Sequence, residues 1–588
     1  MTRFDGLDRW IAGWRGPLLA ALVALLAGLP GALALPTLDR DEARFAQATA
    51  QMLESGDFVD IQFQDQARDK KPVGIHWLQA ASVALVSSPG ARQIWAYRLP
   101  SLLGAMLAAA ACAWGAAVFF GARRALAAGV ILGVSFLLST EAGIAKTDAV
   151  LCGVTTLALA AFARLYAASL REEDGPGGAA PDVGWRTLTL FWLAVAVAIL
   201  DKGPIGPMVV ALTGLALWAW DRRAPWAARM NWLWGLILIV AVVGPWAAAI
   251  TVKTDGGFWG AAVGSDLAPK LAGGQEGHGA PFGLHALISP LLLFPAAFLL
   301  PAAMAQGWRA RAQPGVRFAL CWLIPSWLVF ELTPTKLPHY TLPLYGALAW
   351  LAVAGLGRGF GRPSGRWVRW LGVGLGLLAA VVWAAAAIYL ALRFGGAAAI
   401  YWALAAAILA LVSGFAGAGF LLTDRGWPLL AAALLSGALA HGAIAGGLAP
   451  QLNPLWLSRR AAALLDRKHM QPIEGLVPGP VTVVGYAEPS LVFALGTETE
   501  LGDVGDGGAA IAEGRPALVE QRLQPGFLAE LAVDRLKAHP VGQVKGFDYS
   551  DGKADVLILY RSDSPPPTDA AVPPPEAPAA ESAAPPGR

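Results

Sequence analysis

The chain has 588 residues, 56% of them hydrophobic and 14% charged, with a formal net charge of +3. An ordinary soluble domain carries about 25% charged residues, and a mean hydropathy of +0.53, with apolar residues gathered in blocks of about 20, excludes a soluble globular fold. The small net charge gives no sign of a nucleic-acid partner. Cys112, Cys152 and Cys321 lie inside apolar blocks at no metal-ligand spacing and read as small buried hydrophobes.

In chain order, Arg3, Arg9 and Arg15 precede an apolar run from Pro17 to Leu35, which reads as a retained first span rather than a cleaved signal. Further apolar segments follow at 97–120, 125–142, 147–168, 188–201, 204–220, 232–252, 284–306, 316–333, 340–357, 367–393, 398–422 and 427–449. That predicts about thirteen transmembrane helices, with 188–201 and 204–220 as two crossings or one broken segment. Arginine recurs at alternate loops: Arg123-Arg124, Arg222-Arg223, Arg309 with Arg311 and Arg317, Arg358 to Arg369, and Arg425. The positive-inside rule then makes the N-terminus cytoplasmic. The outer loops are 36–96, 253–283 and 333–340, and everything after about 450 is also outside.

The first outer loop opens with Asp39-Arg40-Asp41-Glu42-Ala43-Arg44-Phe45. Phe45, Ala48 and Met52 recur at helical spacing, so 41–54 predicts an amphipathic surface helix with Asp41 and Glu42 in its first turn. The loop continues with Asp69-Lys70-Lys71-Pro72, in which Pro72 can open a second helix at its first position. Lysine beside exposed backbone N–H groups suits an anion, most naturally a phosphate. Lys202-Gly203-Pro204, the glycine-rich loop 271–281 with His278, and Thr335-Lys336-Leu337-Pro338-His339-Tyr340 fall on the same predicted face. Ionisable groups at membrane depth are costly and mark functional sites. Several cations with a few acids suit a lipid-linked phosphate leaving group and a proton transfer. No Walker A, HExxH or CxxC motif occurs.

Beyond 450, residues 478–562 alternate β-rich runs (481–484, 555–560) with a helical stretch near 527–537, which predicts a small soluble α/β domain. Residues 563–588, rich in Pro and Ala, predict a disordered tail. The expected organisation is a transmembrane domain over 1–450, an α/β domain over 451–562 and the tail.

Asp41-Glu42-Ala43-Arg44-Phe45-Ala46, Gly56-Asp57-Phe58 and Lys71-Pro72 before His76-Trp77-Leu78 resemble the first-loop pattern of bacterial family-39/83-type membrane glycosyltransferases. That group includes 4-amino-4-deoxy-L-arabinose lipid A transferases and relatives of protein O-mannosyltransferases. Lys336 to Pro343 and His278-Gly279-Ala280-Pro281 resemble two further segments of the pattern. The resemblance implies an all-α polytopic GT-C fold in a bacterial inner membrane, with the α/β domain periplasmic. It also implies a polyprenyl (undecaprenyl) phosphate sugar donor and a lipid, glycan or protein acceptor.

Carried over, Asp41 would be the catalytic carboxylate, with Glu42 beside it. Arg44, Lys71, Lys202 and Lys336 would bind the donor phosphate, with His339 near them. Glu42, His278 and Tyr340 would shape the site. No cofactor is certain, and His278 would be the ligand if a divalent metal is used. One base without a second nucleophile implies inversion. Lys70 departs from the pattern, because relatives usually carry an acid before Lys-Pro; Asp69 is one residue away. A flippase for a lipid-linked sugar is the competing expectation, and a scaffold displaying the C-terminal domain is a third.

Overall fold

The computed structural model describes residues 5–173, 183–269, 279–471 and 479–563. His278 and the 564–588 part of the predicted tail lie outside the described residues. The chain divides into two compact units, Met1–Trp456 and Leu457–Arg588.

The first unit is helical. Among the described residues, eight helices are long and apolar enough to cross a bilayer. The pair Ala122–Gly133 and Phe136–Ala142, bent by 61°, makes a ninth if it is counted as one broken span. The difference from thirteen has a local cause: the remaining apolar segments are short or broken. Residues 188–220 form two helices, Trp185–Lys202 and Ile205–Asp221, divided at Gly203, whose φ is +62°. Segment 284–306 is interrupted by a 3₁₀ turn at Ala296–Leu299, and segment 340–357 begins with one at Pro338–Leu344. Each break coincides with proline, which removes a backbone donor.

Labels follow chain order: α1 Asp5–Ile11, α2 Arg15–Ala34, α3 Asp41–Ser55, α4 Gly74–Val86, α5 Ile94–Phe120, α6 Ala122–Gly133, α7 Phe136–Ala142, α8 Thr147–Glu173, α9 Trp185–Lys202 and α10 Ile205–Asp221. The amphipathic helix predicted over 41–54 is α3. It ends where Gly56 adopts the left-handed conformation and its N–H bonds the Met52 carbonyl. The buried face of α3 meets α4, where Thr49 Oγ1 bonds His76 Nδ1 at 2.8 Å and Gln79 Oε1 at 2.7 Å.

The expectation that Pro72 opens α4 is corrected: the helix begins at Gly74. A Cβ on Gly74 would stand 2.6 Å from the Leu200 carbonyl oxygen. The glycine lets this turn lie directly on the C-terminal end of α9, so Lys71 and Lys202 are brought toward each other. Helices α5 and α8 cross as closely, because Gly104 and Gly153 meet backbone to backbone.

Glu42 fastens these elements together. Arg98, on α5, donates from Nε and one Nη to the two Glu42 oxygens at 2.8 and 2.7 Å. Both side chains are fully buried. Glu42 also accepts from the N–H groups of Leu38 (2.8 Å) and Ala145 (2.7 Å). Arg98 spends its other donors on the Ala32, Leu35 and Pro36 carbonyls.

The second unit is a mixed α/β domain. Its strands are β1 Thr482–Val484, β2 Glu500–Gly502, β3 Ala517–Glu520, β4 Ala538–Asp548 and β5 Lys553–Ser562, and the sheet runs β2-β1-β3-β5-β4, with β1 parallel to β2 and to β3. Strand β5 pairs antiparallel with β3 and with β4. Val483, Leu491, Leu518, Leu557 and Leu559 form its core. Asp503 and Asp506 make a reciprocal capping box on helix Val504–Ala512. The helix expected near 527–537 is Gln524–Val533.

Removing one partner of a fully buried ion pair leaves an unpaired buried charge, at a cost of about 3–5 kcal/mol. Arg98→Ala is therefore expected to lower Tm and the yield of monodisperse protein in detergent, and so is Glu42→Gln, whose amide N–H groups would face the donors that the carboxylate accepts from. Equal Tm for wild type and Arg98→Ala would refute the structural role.

Candidate functional site

The site is built where α3, the α4 turn, the α7–α8 connection, the end of α9 and the Pro338–Leu344 turn converge. Lys146 and Asp148 sit at the start of α8, and Glu141 at the end of α7. The Lys146 ammonium lies 3.0 Å from Glu141 and 3.5 Å from Asp148. Lys202, from α9, reaches Asp148 at 2.5 Å. His339 Nδ1 is 3.3 Å from Lys146 Nζ, and its ring nitrogens stand 3.8 Å from Glu141 and 3.7 Å from Asp148. Tyr340 meets His339 edge to face, and the Lys202 ammonium lies 5.8 Å from the Tyr340 ring centroid.

Above this network stand Asp41 and Lys71. Phe45, one turn along α3 from Asp41, presents its ring to Lys71 Nζ at 5.0 Å and to the Arg68 guanidinium at 4.5 Å, a cation–π arrangement that orients both cations. Asp41 is exposed. Partial desolvation by neighbouring protein works against its charge, but Lys71, Lys146, Arg68 and His339 hold its carboxyl below the usual carboxylate range. It is thus an ionised acceptor surrounded by cations. Desolvation pushes Lys71 down to about 8, with repulsion from Lys202 adding to the effect and attraction from Asp41 opposing it.

Asp41, Lys71, Lys202, His339 and Tyr340, expected in the site, are brought together. Arg44 is half-buried on α3. Glu42 is corrected: expected as a catalytic carboxylate, it has both oxygens engaged in the scaffold by Arg98, Leu38 and Ala145. The Lys336 ammonium donates to the Ala280 and Thr333 carbonyls at 3.0 and 2.7 Å, so it ties segment 279–286 to the chain after 331 and keeps one of its three N–H donors. Glu331 strengthens that tie by accepting from the N–H groups of Gly283 and Ala286. Among the described residues no group of His, Cys, Asp and Glu could hold a metal ion, and His278 lies outside them.

Sequence reasoning missed Glu141, Lys146, Asp148 and Asp201. Each is a charge in or beside an apolar run, which was the available signal. Asp201 is 1% exposed, and neither carboxylate oxygen has a hydrogen-bond partner among the described residues.

By its long apolar helices the chain is a multi-pass membrane protein, and its fold is of the GT-C type. Residues 70–248 match the family model described as dolichyl-phosphate-mannose-protein mannosyltransferase. The match takes in Lys71, Glu141, Lys146, Asp148, Asp201 and Lys202 and stops short of Asp41 and His339. The chain is 28% identical, over 60% of its length, to undecaprenyl phosphate-alpha-4-amino-4-deoxy-L-arabinose arabinosyl transferase of Pseudomonas paraeruginosa, and 29% identical over 54% to the Aeromonas salmonicida protein of that name. These matches span 61% and 56% of the two relatives, less than two thirds of either. The crystal structure of ArnT from Cupriavidus metallidurans bound to undecaprenyl phosphate is similar in fold, with a TM-score of 0.71 at 20% identity. That similarity covers 92% of this chain and 97% of the other. The resemblance seen in the first loop is thereby supported, with the 4-amino-4-deoxy-L-arabinose transferase type as the particular match.

With Lys71 at about 8, an anion that needs its charge should bind progressively less well as pH rises through that value. The loss approaches about tenfold per pH unit above it. Titration of undecaprenyl phosphate into purified protein across that range checks this. Arg in place of Lys71 should remove the inflection, and an inflection that persists unchanged would exclude Lys71 as its source.

Proposed function

We propose that the protein is a glycosyltransferase that moves a sugar from a polyprenyl (undecaprenyl) phosphate donor to a lipid, glycan or protein acceptor. The reaction takes place at the periplasmic face of a bacterial inner membrane. The observation that carries this reading is the ionised Asp41 facing Lys71, over a network in which Lys146 and Lys202 are shared among Glu141 and Asp148. The relatives' donor and the fold similarity support it.

In the reaction, the bond between the sugar's anomeric carbon and the donor phosphate oxygen breaks, and the electron pair leaves with the phosphate. Lys71 stabilises that developing charge. Asp41 takes the proton from the acceptor hydroxyl as its oxygen bonds the anomeric carbon. Of Asp41, Glu141, Asp148 and Asp201, the acids named at the site, Asp41 alone is exposed, so attack from the face opposite the leaving phosphate, with inversion, is the mechanism proposed. His339 and Tyr340 border the same space and shape it for the sugar. The N-terminus is placed in the cytoplasm and the C-terminal α/β unit in the periplasm by the distribution of arginine.

The test is incubation of purified protein with a panel of polyprenyl-phosphate sugars, reading release of free polyprenyl phosphate and appearance of the glycosylated product. Asp41→Asn is expected to lower turnover by about 100- to 10,000-fold. Lys71→Ala is expected to lower kcat/KM by about 10- to 100-fold, the scale of a charge-assisted hydrogen bond. Wild-type transfer rates in both variants would sink the assignment.

A further inference from the structure

One buried acid beside the site has no part in the reaction described above. Asp201 lies on the last turn of α9 and is 1% exposed, and neither of its carboxyl oxygens has a hydrogen-bond partner among the described residues. The other buried acids of the site are paired, Glu141 with Lys146 and Asp148 with both Lys146 and Lys202. Close backbone packing fixes where Asp201 stands. A Cβ on Gly74 would lie 2.6 Å from the Leu200 carbonyl oxygen and 2.9 Å from the Asp201 nitrogen, so the turn that follows Lys71 rests on Asp201 itself. Of the charges around its carboxyl, those of Lys202, Asp148 and Lys71 act on it most strongly. The group therefore sits between two lysines brought in by separate segments of chain.

A carboxylate ion buried with neither oxygen hydrogen-bonded is so costly that the group holds a proton instead. As a neutral acid, Asp201 carries one O–H donor and acceptor oxygens, all of them unused. A buried donor without a partner is unfavourable, and an incoming acceptor relieves that state. The acceptor that two flanking lysines draw to this place is an anion rich in oxygen, a phosphate above all. An ionised Asp201 would repel that phosphate, whereas the neutral acid attracts it. Burial that keeps a carboxyl protonated, so that it can donate to an oxyanion, is an established use of an aspartic acid.

We propose, on the reading that the donor phosphate binds at Lys71, that Asp201 is a further ligand of that phosphate and donates its O–H to a phosphate oxygen. Lys71 supplies the charge. Asp201 supplies a directed hydrogen bond and adds no negative charge of its own. It thereby separates a polyprenyl phosphate from an uncharged lipid alcohol of the same length.

Full-length protein in neutral detergent is titrated with undecaprenyl phosphate and, in parallel, with undecaprenol, which has the same chain and no phosphate. Asp201→Leu keeps the volume and removes the donor. Its affinity for undecaprenyl phosphate should fall about tenfold or more, the scale of a hydrogen bond to a charged group. Asp201→Asn, whose amide N–H stands in for the acid's O–H, should stay within about threefold of wild type. Affinity for undecaprenol should be the same in wild type and both variants, which a merely structural role would not give. If Asp201→Leu has a lowered Tm, Asp201→Ala repeats the donor-free measurement. Undiminished phosphate binding without the donor, a loss in Asp201→Asn equal to that in Asp201→Leu, or a parallel fall for undecaprenol would each overturn the assignment. Lys71→Ala is the reference variant. Wild-type binding of undecaprenyl phosphate by Lys71→Ala would remove the phosphate site as a whole, whereas a loss there with none in Asp201→Leu would remove Asp201 alone.

Discussion

The buried Glu42–Arg98 pair is the constraint on which the outer end of the membrane unit depends. It joins four pieces of chain that would otherwise be independent: the exit from α2, the start of α3, the first turn of α5 and the connection into α8. A charge pair in so dry a place holds only if its remaining donors and acceptors are satisfied, and here the surrounding carbonyls and N–H groups supply that. Asp41 gains its position from this arrangement. Neighbouring residues on a helix point about 100° apart, so the core-facing member of the Asp41-Glu42 pair becomes scaffold and the other opens to solvent. Two adjacent carboxylates thus have opposite roles.

The second constraint is close backbone approach. Gly74 on the Leu200 carbonyl and Gly104 on α8 bring polar side chains from sequence-distant helices into one place without large side chains between them. The cluster that results is close to electrically balanced: Glu141 and Asp148 share Lys146, and Lys202 is spent on Asp148. Balance of this kind lets charges sit at membrane depth, where an isolated one would be expensive. Lys71 stands apart, resting on the Phe45 ring, and its lowered proton affinity records the cost.

Much of this was legible in the sequence, because the signals were local. Apolar length marked the spans, the spacing of Phe45, Ala48 and Met52 marked α3, and the β-rich runs at 481–484 and 555–560 marked the sheet. Long-range pairing was not legible. Nothing near Glu42 in sequence announces Arg98, 56 positions away, so the pair Asp41-Glu42 looked like two candidates of equal standing. Nor does anything near Lys336 in sequence announce its bond to the Ala280 carbonyl, 56 residues back. Glu141, Lys146 and Asp148 were hidden for a different reason. They lie in a short connection between two apolar runs, where attention to span length obscures individual charges. The count of apolar segments exceeds the count of long unbroken helices because apolar length does not register where proline or a 3₁₀ turn breaks a helix.

The charge balance also bears on how a phosphate-bearing donor would be handled. Lys146 and Lys202 already share carboxylates, so a ground-state donor gains little from them and its affinity rests mainly on Lys71 and its neighbours. On the proposed reaction, a leaving phosphate that gathers charge would compete with Glu141 and Asp148 for the same two lysines, which lie in one connected network. Interactions that strengthen only as charge develops raise turnover without tightening substrate binding. A network of paired lysines serves that purpose better than unpaired ones. The carboxylates keep the ammonium groups desolvated and in place at no net charge, and the protein need not reorganise water when the bond breaks.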